Sequence, residues 1–139
     1  MAEIQAAQLT LTASEMLGSR WYYEREKLRR FPAFVLLGTS TVITAAEGAI
    51  DTQYSNTYGF RITLNSYPYA LPKVYPKDWT PHPLTPHRYN DGSLCIMRSA
   101  QWHPYFTVAL VVAKTAIWLG KYELWKRNNH IWPGLEQKH

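Results

Sequence analysis

Thr57-Tyr58-Gly59-Phe60-Arg61-Ile62-Thr63-Leu64 alternates between large apolar side chains and small or polar ones. Successive side chains on a strand point to opposite faces. Tyr58, Phe60, Ile62 and Leu64 therefore share one face, and Thr57, Gly59, Arg61 and Thr63 the other. This pattern predicts a half-buried antiparallel strand, with one face on a core and one on solvent. Immediately upstream, Thr41-Val42-Ile43-Thr44 is a β-branched run, and Glu47-Gly48 after it reads as a bend or turn. Further upstream, Phe34-Val35-Leu36-Leu37 is a short apolar strand closed by Gly38. Strands in succession with short connections form a meander.

Helices flank this meander. Thr12-Ala13-Ser14-Glu15 fits a capping box, with Thr12 as the cap and Glu15 reaching back. Leu17, Trp21, Leu28 and Phe31 follow at helical spacing and Pro32 ends the run, which predicts a helix from about Ala13 to Arg30 with one face buried. Residues 1–11 are polar and alanine-rich and are expected to be loosely held. Downstream, Tyr67 to Pro76 carries Pro68, Pro72 and Pro76, which exclude helix and force an extended path broken by turns. Lys73-Val74-Tyr75 fits a short edge strand inside it. Pro81, Pro83 and Pro86 prolong the irregular path, and long irregular connections in compact domains are usually functional. Phe106 to Lys126 reads as a second main helix. Val108, Leu110, Val111, Val112, Ala113, Ile117, Trp118 and Trp125 cover most of its circumference, so it should be largely buried. Asn128-Asn129 ends it, and Trp132-Pro133-Gly134 opens a short tail whose last residues, 135–139, are expected to be flexible. The order is that of an α+β fold with helices on an antiparallel sheet, organised as one domain over residues 1–139.

Composition narrows the function classes. The chain has 139 residues, 46% hydrophobic and 18% charged, enough to build a core without metals or disulfides. It contains a single cysteine, so an internal disulfide is excluded. Met1-Ala2-Glu3-Ile4-Gln5 has neither a basic start nor an apolar run, which argues against a signal peptide. Lys114, Lys121 and Glu123 interrupt the apolar helix and argue against a bilayer span. A cytoplasmic protein is expected. The formal net charge of +5 raises the question of nucleic acid. However, the densest basic cluster, Arg25 to Arg30, belongs to a helix that also carries Glu24 and Glu26, a mixed face typical of solvated surface. Neither nucleic acid nor membrane is expected as a partner.

The chemistry converges on Thr85 to Trp102, which holds the only cysteine, Cys95. His87 lies eight residues before it, and Asn90-Asp91-Gly92 between them favours a tight reversal that returns the chain toward the thiol. A thiol displayed after a turn with a ring nitrogen in reach suits acyl chemistry on sulfur. A thiolate attacks an activated carboxyl carbon, and the thioester keeps enough energy to acylate an amine. His87 has three readings: an N–H donor to the oxyanion, a base for the thiol or the incoming amine, or a ring that orders the loop. Tyr89 and Trp102 read as walls that exclude water. Asn90 and Ser93 are candidates for loop hydrogen bonds, and Asp91 and Gly92 are turn chemistry first, with Asp91 also able to orient a lysine. His103 is a further candidate neighbour of the thiol. His82, His87, Cys95 and His103 cluster in sequence but lack the tight ligand pairs of zinc sites, so no metal is expected. No glycine-rich phosphate loop is present and no cofactor is expected. The donor must therefore arrive activated by another protein.

Beyond these readings, the chain resembles the ubiquitin-conjugating enzyme family over about Ala13 to Trp125. Tyr67 to Val74 is similar to the family's Tyr-Pro-x-x-x-Pro-x-Val segment with one extra residue. Thr85-Pro86-His87 stands where His-Pro-Asn is found, Asp91 to Cys95 resembles the approach to the catalytic cysteine, and Trp102-His103-Pro104 resembles the following Trp-x-Pro. Thr85 and His87 replace the histidine and asparagine of that motif. His87 to Cys95, Trp118 to Trp125 and Trp132 to Gly134 resemble a bacterial branch found in antiphage defence operons, often beside a cGAS-like nucleotidyltransferase. The resemblance implies a thioester on Cys95 with the C-terminal carboxyl of a protein donor, either a ubiquitin-like protein or the nucleotidyltransferase. A separate activating enzyme is a further implied partner. Two competing classes remain at this stage: a non-catalytic module that binds ubiquitin-like proteins, and a cysteine–histidine hydrolase.

Overall fold

The computed structural model describes residues 6–39 and 41–134. In chain order these form a 3-10 turn (Ala6–Leu9), α1 (Ala13–Met16), α2 (Arg20–Leu28), β1 (Val35–Gly38), β2 (Ile43–Asp51), β3 (Thr57–Thr63), β4 (Lys73–Lys77), a second 3-10 turn (Ser99–Gln101) and α3 (Val108–Arg127). The strands make a four-stranded antiparallel sheet in the order β1-β2-β3-β4. Register fixes the two faces. Leu36, Ala46, Ile62 and Val74 stand side by side across the sheet, and Val35, Glu47, Arg61 and Tyr75 form the adjacent row. Ala46, Ile62 and Val74 are fully buried, as is Phe60, while Val35 and Arg61 are exposed. The inner face packs with Val108, Val111, Val112, Trp118 and Leu119 of α3 in one hydrophobic cluster. Complete burial of a Phe, Ile or Val side chain contributes roughly 1.5–3 kcal/mol, so this row is a main source of stability.

The alternation that defined β3 holds, but the segment before it differs from expectation. Glu47-Gly48 is not a bend: both residues lie in the middle of β2, which begins at Ile43 and runs to Asp51. Gly48 is required by packing. A Cβ built there would lie 2.4 Å from Cγ of Phe34, which covers the strand at that point. Glu47 reaches from the outer face to Arg61 (2.5 Å) and Lys77 (3.0 Å), tying β2 to both following strands.

Nor is the first helix continuous. The Thr12 capping box forms, with Glu15 N–H donating to Thr12 Oγ1 at 3.1 Å and Thr12 N–H to Glu15 Oε1 at 2.9 Å. The helix then breaks at Leu17-Gly18-Ser19 and restarts at Arg20, ending at Leu28 rather than Arg30. Glycine is a poor helix former, and the break leaves Leu17 in solvent at 91% exposure instead of on the buried face. Ile117 of α3 is also exposed, whereas Trp118, Tyr122 and Trp125 are buried.

Part of the segment read as loosely held belongs to the core. Leu9 and Leu11 are buried, Thr10 pairs with Phe106, and Leu11 N–H donates to the Tyr105 carbonyl at 2.7 Å. Two leucines spaced by two residues can share one face of an extended segment. The remaining expectations of flexibility, at residues 1–5 and 135–139, lie outside the described residues.

A buried polar network anchors the start of α3 and the segment just before it. Glu24 of α2 is fully buried and receives Arg20 Nε–H at 3.0 Å, the Tyr67 hydroxyl, and the Val108 N–H at the start of α3 at 2.9 Å. Arg20 also donates to the carbonyls of Pro104 and Phe106, each at 2.6 Å. Thr107 caps α3 and donates to the Leu9 carbonyl at 2.5 Å. The Tyr67 ring lies 5.7 Å from Trp21 and 6.0 Å from Trp102, so the proline-rich segment is fastened to α2.

Candidate active site

The turn triplet acts as its residue types require. Gly92 adopts φ +90° and its N–H donates to the Tyr89 carbonyl at 3.0 Å, while Tyr89 N–H donates to the Ser93 carbonyl at 2.9 Å. Arg88 and Leu94 pair antiparallel, and Cys95 N–H donates to the His87 carbonyl at 2.8 Å. The reversal thus brings the backbones of His87 and Cys95 together. Leu94 N–H donates to the Val74 carbonyl at 2.9 Å, which docks the whole loop on β4. The cysteine position is fixed by an edge strand of the sheet rather than by the loop alone.

Side-chain directions in the loop are set by what each group packs against. Tyr89 is the side chain whose hydroxyl favours the thiolate form of Cys95. The His87 ring packs on Trp132, 4.7 Å between centroids, and Trp132 in turn lies 5.7 Å from Trp118. His87 adopts φ +58°, and its carbonyl also receives the Trp118 indole N–H at 3.2 Å. Positive φ is uncommon for a residue with a side chain, and here two donors hold the carbonyl in place. His87 is therefore the joint between the cysteine loop, α3 and the Trp-Pro-Gly tail.

Asp91 and Ser93 form an Asx-type turn. Ser93, which is buried, donates its N–H (2.9 Å) and its hydroxyl (2.6 Å) to Asp91 Oδ1. Asp91 Oδ2 pairs with Lys73 Nζ of β4 at 2.6 Å. Lys73, Tyr89, Asp91 and Ser93, with Leu71, Pro72, Leu94 and Ser99, line a cleft of about 310 Å³. Asn90 is exposed in the turn. Trp102 lies under the proline-rich segment, its indole N–H donating to the Pro68 carbonyl at 2.8 Å. His103 is exposed and stacks on Tyr105 at 3.7 Å. His82 lies between Trp125 and His130, with centroids 5.4 and 5.0 Å away. Sequence reasoning missed Lys73 as a site residue, because its partner lies eighteen positions away and no local motif marks the pair.

Electrostatics at the thiol follow from this geometry. Burial pushes the Cys95 thiol up, the Tyr89 hydroxyl bond opposes that by stabilising the thiolate, and the Asp91 charge adds to the rise. Burial, and next the neighbouring sulfur, raise the Tyr89 phenol. The Lys73 ammonium and the two Ser93 donors hold the Asp91 carboxyl well below the usual carboxylate range. Only the thiolate alkylates. The iodoacetamide rate of Cys95 should therefore rise with pH to a midpoint above that of an ordinary thiol. Tyr89→Phe should move the midpoint up and Asp91→Asn should move it down. Rate–pH profiles of the three proteins check this, and identical midpoints would remove both residues from the environment of the sulfur.

A four-stranded antiparallel meander, a proline-rich path, a cysteine loop docked on the edge strand and a long helix after it define the ubiquitin-conjugating fold. The chain is similar to a solved ubiquitin-conjugating enzyme E2 from Plasmodium falciparum, with TM-score 0.55 and 16% identity over 73% of this chain and 96% of that one. Within that class it belongs to the family described as Type II CBASS E2 protein, which matches residues 24–139. No curated protein matches the chain significantly. Family and fold support an E2-like conjugating role in antiphage defence, and a protein as partner. Among the described residues no helix is long and apolar enough to cross a membrane.

Proposed function

We propose that Cys95 carries the C-terminal acyl group of a donor protein as a thioester and passes it to an amine. The observation that carries this reading is the placement of the chain's one cysteine. It ends a hairpin docked on β4, next in the chain to Leu94, which lines a cleft with Tyr89 and Asp91, the two residues that act on its titration. In the loading step the Cys95 sulfur attacks the donor carbonyl carbon, a C–S bond forms, and the activating group leaves. In transfer the acceptor nitrogen attacks the same carbon, the C–S bond breaks, and the sulfur leaves as thiolate. Tyr89 stabilises that thiolate, which helps both its attack and its departure. Asp91 orients the acceptor ammonium before it gives up its proton to solvent. His87 acts as a positioning residue through its carbonyl, which fixes the Cys95 backbone, rather than as the base. The donor is a ubiquitin-like protein or the C-terminus of a cGAS-like nucleotidyltransferase, delivered activated by another protein. The setting is bacterial antiviral defence.

A trap tests this. Cys95→Lys places an amine where the thiol stood, so a donor delivered there is held by an isopeptide bond. The variant is expressed with the native neighbouring genes, purified under denaturing conditions and weighed intact, beside Cys95→Ala. A discrete added mass in the lysine variant alone is expected, and its sequence names the donor. Equal tight binding of a partner by both variants, with no covalent mass, would support a binding module instead.

A further inference from the structure

The cleft lined by Tyr89, Asp91 and Leu94, the residue before Cys95, already contains a cation. Lys73 projects from the edge strand, and its ammonium lies 2.6 Å from Asp91 Oδ2, while the other carboxylate oxygen is taken by two Ser93 donors. Ser93 is only 1% exposed, so the carboxylate is held in one orientation and offers a single oxygen outward. Lys73, Tyr89 and Asp91 line the same cleft, and both Tyr89 and Asp91 influence the Cys95 thiol. That outward oxygen is thus a one-cation seat within the electrostatic reach of Cys95.

We propose that Lys73 is the resident occupant of the acceptor-amine seat, so that transfer from Cys95 requires an incoming ammonium to displace it from Asp91. This rests on the thioester reading above and specifies its acceptor. The seat discriminates for cationic amines, and for those presented at high local concentration by a bound protein. Exposure makes the exchange feasible. The Lys73 side chain is 60% exposed and that of Asp91 37%, and a solvent-exposed ion pair is weak. Displacement by a tethered lysine is therefore cheap, whereas dilute free amines compete poorly. Lys73 is itself a poor acceptor, because the Asp91 hydrogen bond and charge raise its pKa and keep it protonated.

Cys95 is the single cysteine, so thiol reagents report on it alone. Aminoethyl methanethiosulfonate is cationic and methyl methanethiosulfonate is neutral. In each case the Cys95 thiolate attacks the reagent sulfur, a disulfide forms, and methanesulfinate leaves. The ratio of the two rates cancels changes in thiolate fraction and reads cation recognition at the sulfur. Lys73→Met should raise this ratio roughly 1.5-fold to fivefold, the range set by a weak ion pair. Asp91→Asn should lower it below wild type. In the Asp91→Asn background the Lys73→Met effect should vanish, because there is no seat left to vacate. An equal rise in that background would reduce Lys73 to a remote charge and overturn the proposal, as would no rise at all. In a second arm, a short peptide thioester of mercaptoethanesulfonate is exchanged onto Cys95 and chased with free lysine. Lys73→Met should lower the lysine KM several-fold with little change in kcat. A chain that cannot be loaded removes the thioester reading while leaving the reagent ratio to judge the seat. Acyl groups found on Lys73 itself would make it an acceptor and overturn its role as occupant.

Discussion

A Cys95→Ser chain is expected to accept the donor slowly and then stall as an oxyester. The hydroxyl occupies nearly the same place, but serine lacks an accessible anion at neutral pH, and the Tyr89 bond that stabilises a thiolate cannot supply one. An oxyester is also less activated toward amines than a thioester. Amine transfer should therefore fall by more than about tenfold, the ratio that corresponds to ~1.4 kcal/mol in the barrier. The bond chemistry gives an independent signature. The wild-type adduct should be cleaved by dithiothreitol on a denaturing gel, and the serine adduct should survive thiol and yield to alkali. Wild-type transfer rates in the serine variant would mean that Cys95 does not carry the acyl group. The same comparison separates a carrier from a cysteine hydrolase, which releases acid from a model ester or peptide without an amine.

The largest expected effect on stability comes from a residue far from the cysteine in sequence. Glu24→Ala should destabilise the fold by about 3–5 kcal/mol, the cost of removing one partner from a buried ion pair. Three donors lose their acceptor at once: Arg20 Nε, the Tyr67 hydroxyl and the Val108 N–H. Arg20 keeps two carbonyl bonds, but its charge is left with no carboxylate beside it. Burial pushes the Glu24 carboxyl up against the opposing pull of Tyr67, Val108 and Arg20, so the group is already costly to keep charged and depends on all three. For a chain of this size the loss corresponds to a fall in Tm of about 10–20 °C. Glu24→Gln keeps the shape and accepts with one oxygen, so it should lie between wild type and alanine. Thermal melts of the three proteins check the order, and an alanine variant within a few degrees of wild type would show that the network contributes little net stability. Because Glu24 and Arg20 hold Pro104, Phe106 and Val108, the variant should also loosen the start of α3, which hydrogen exchange at the Val108 amide would report.

Local pattern carried β3, the capping box at Thr12, the extent of α3 and the turn at Asn90 to Gly92, because each depends on neighbours within a few residues. Periodicity failed where a distant group decided the outcome. Gly48 reads as a turn residue until Phe34 is seen lying on it, and then it is a strand residue with no room for a Cβ. Leu9 and Leu11 read as part of a loose segment until Tyr105 and Phe106 pair beside them.

The candidate site divides along the same line. The sequence by itself singled out Cys95 as the candidate nucleophile, since the chain's one thiol stands after a tight turn, and it placed Asp91, Gly92 and Ser93 in that turn. Tertiary structure decided how the groups around that candidate are arranged. A hairpin brings His87 and Cys95 together through their backbones, but side-chain direction depends on what each ring packs against. Trp132, forty-five residues on, receives the His87 ring, and the Tyr89 hydroxyl reaches the thiol. Lys73 meets Asp91 only because the cysteine loop docks on β4 through Leu94 and Val74. Spacing along the chain encodes turns and faces. Pairings between side chains on different elements exist only once the sheet, the loop and the helix are packed.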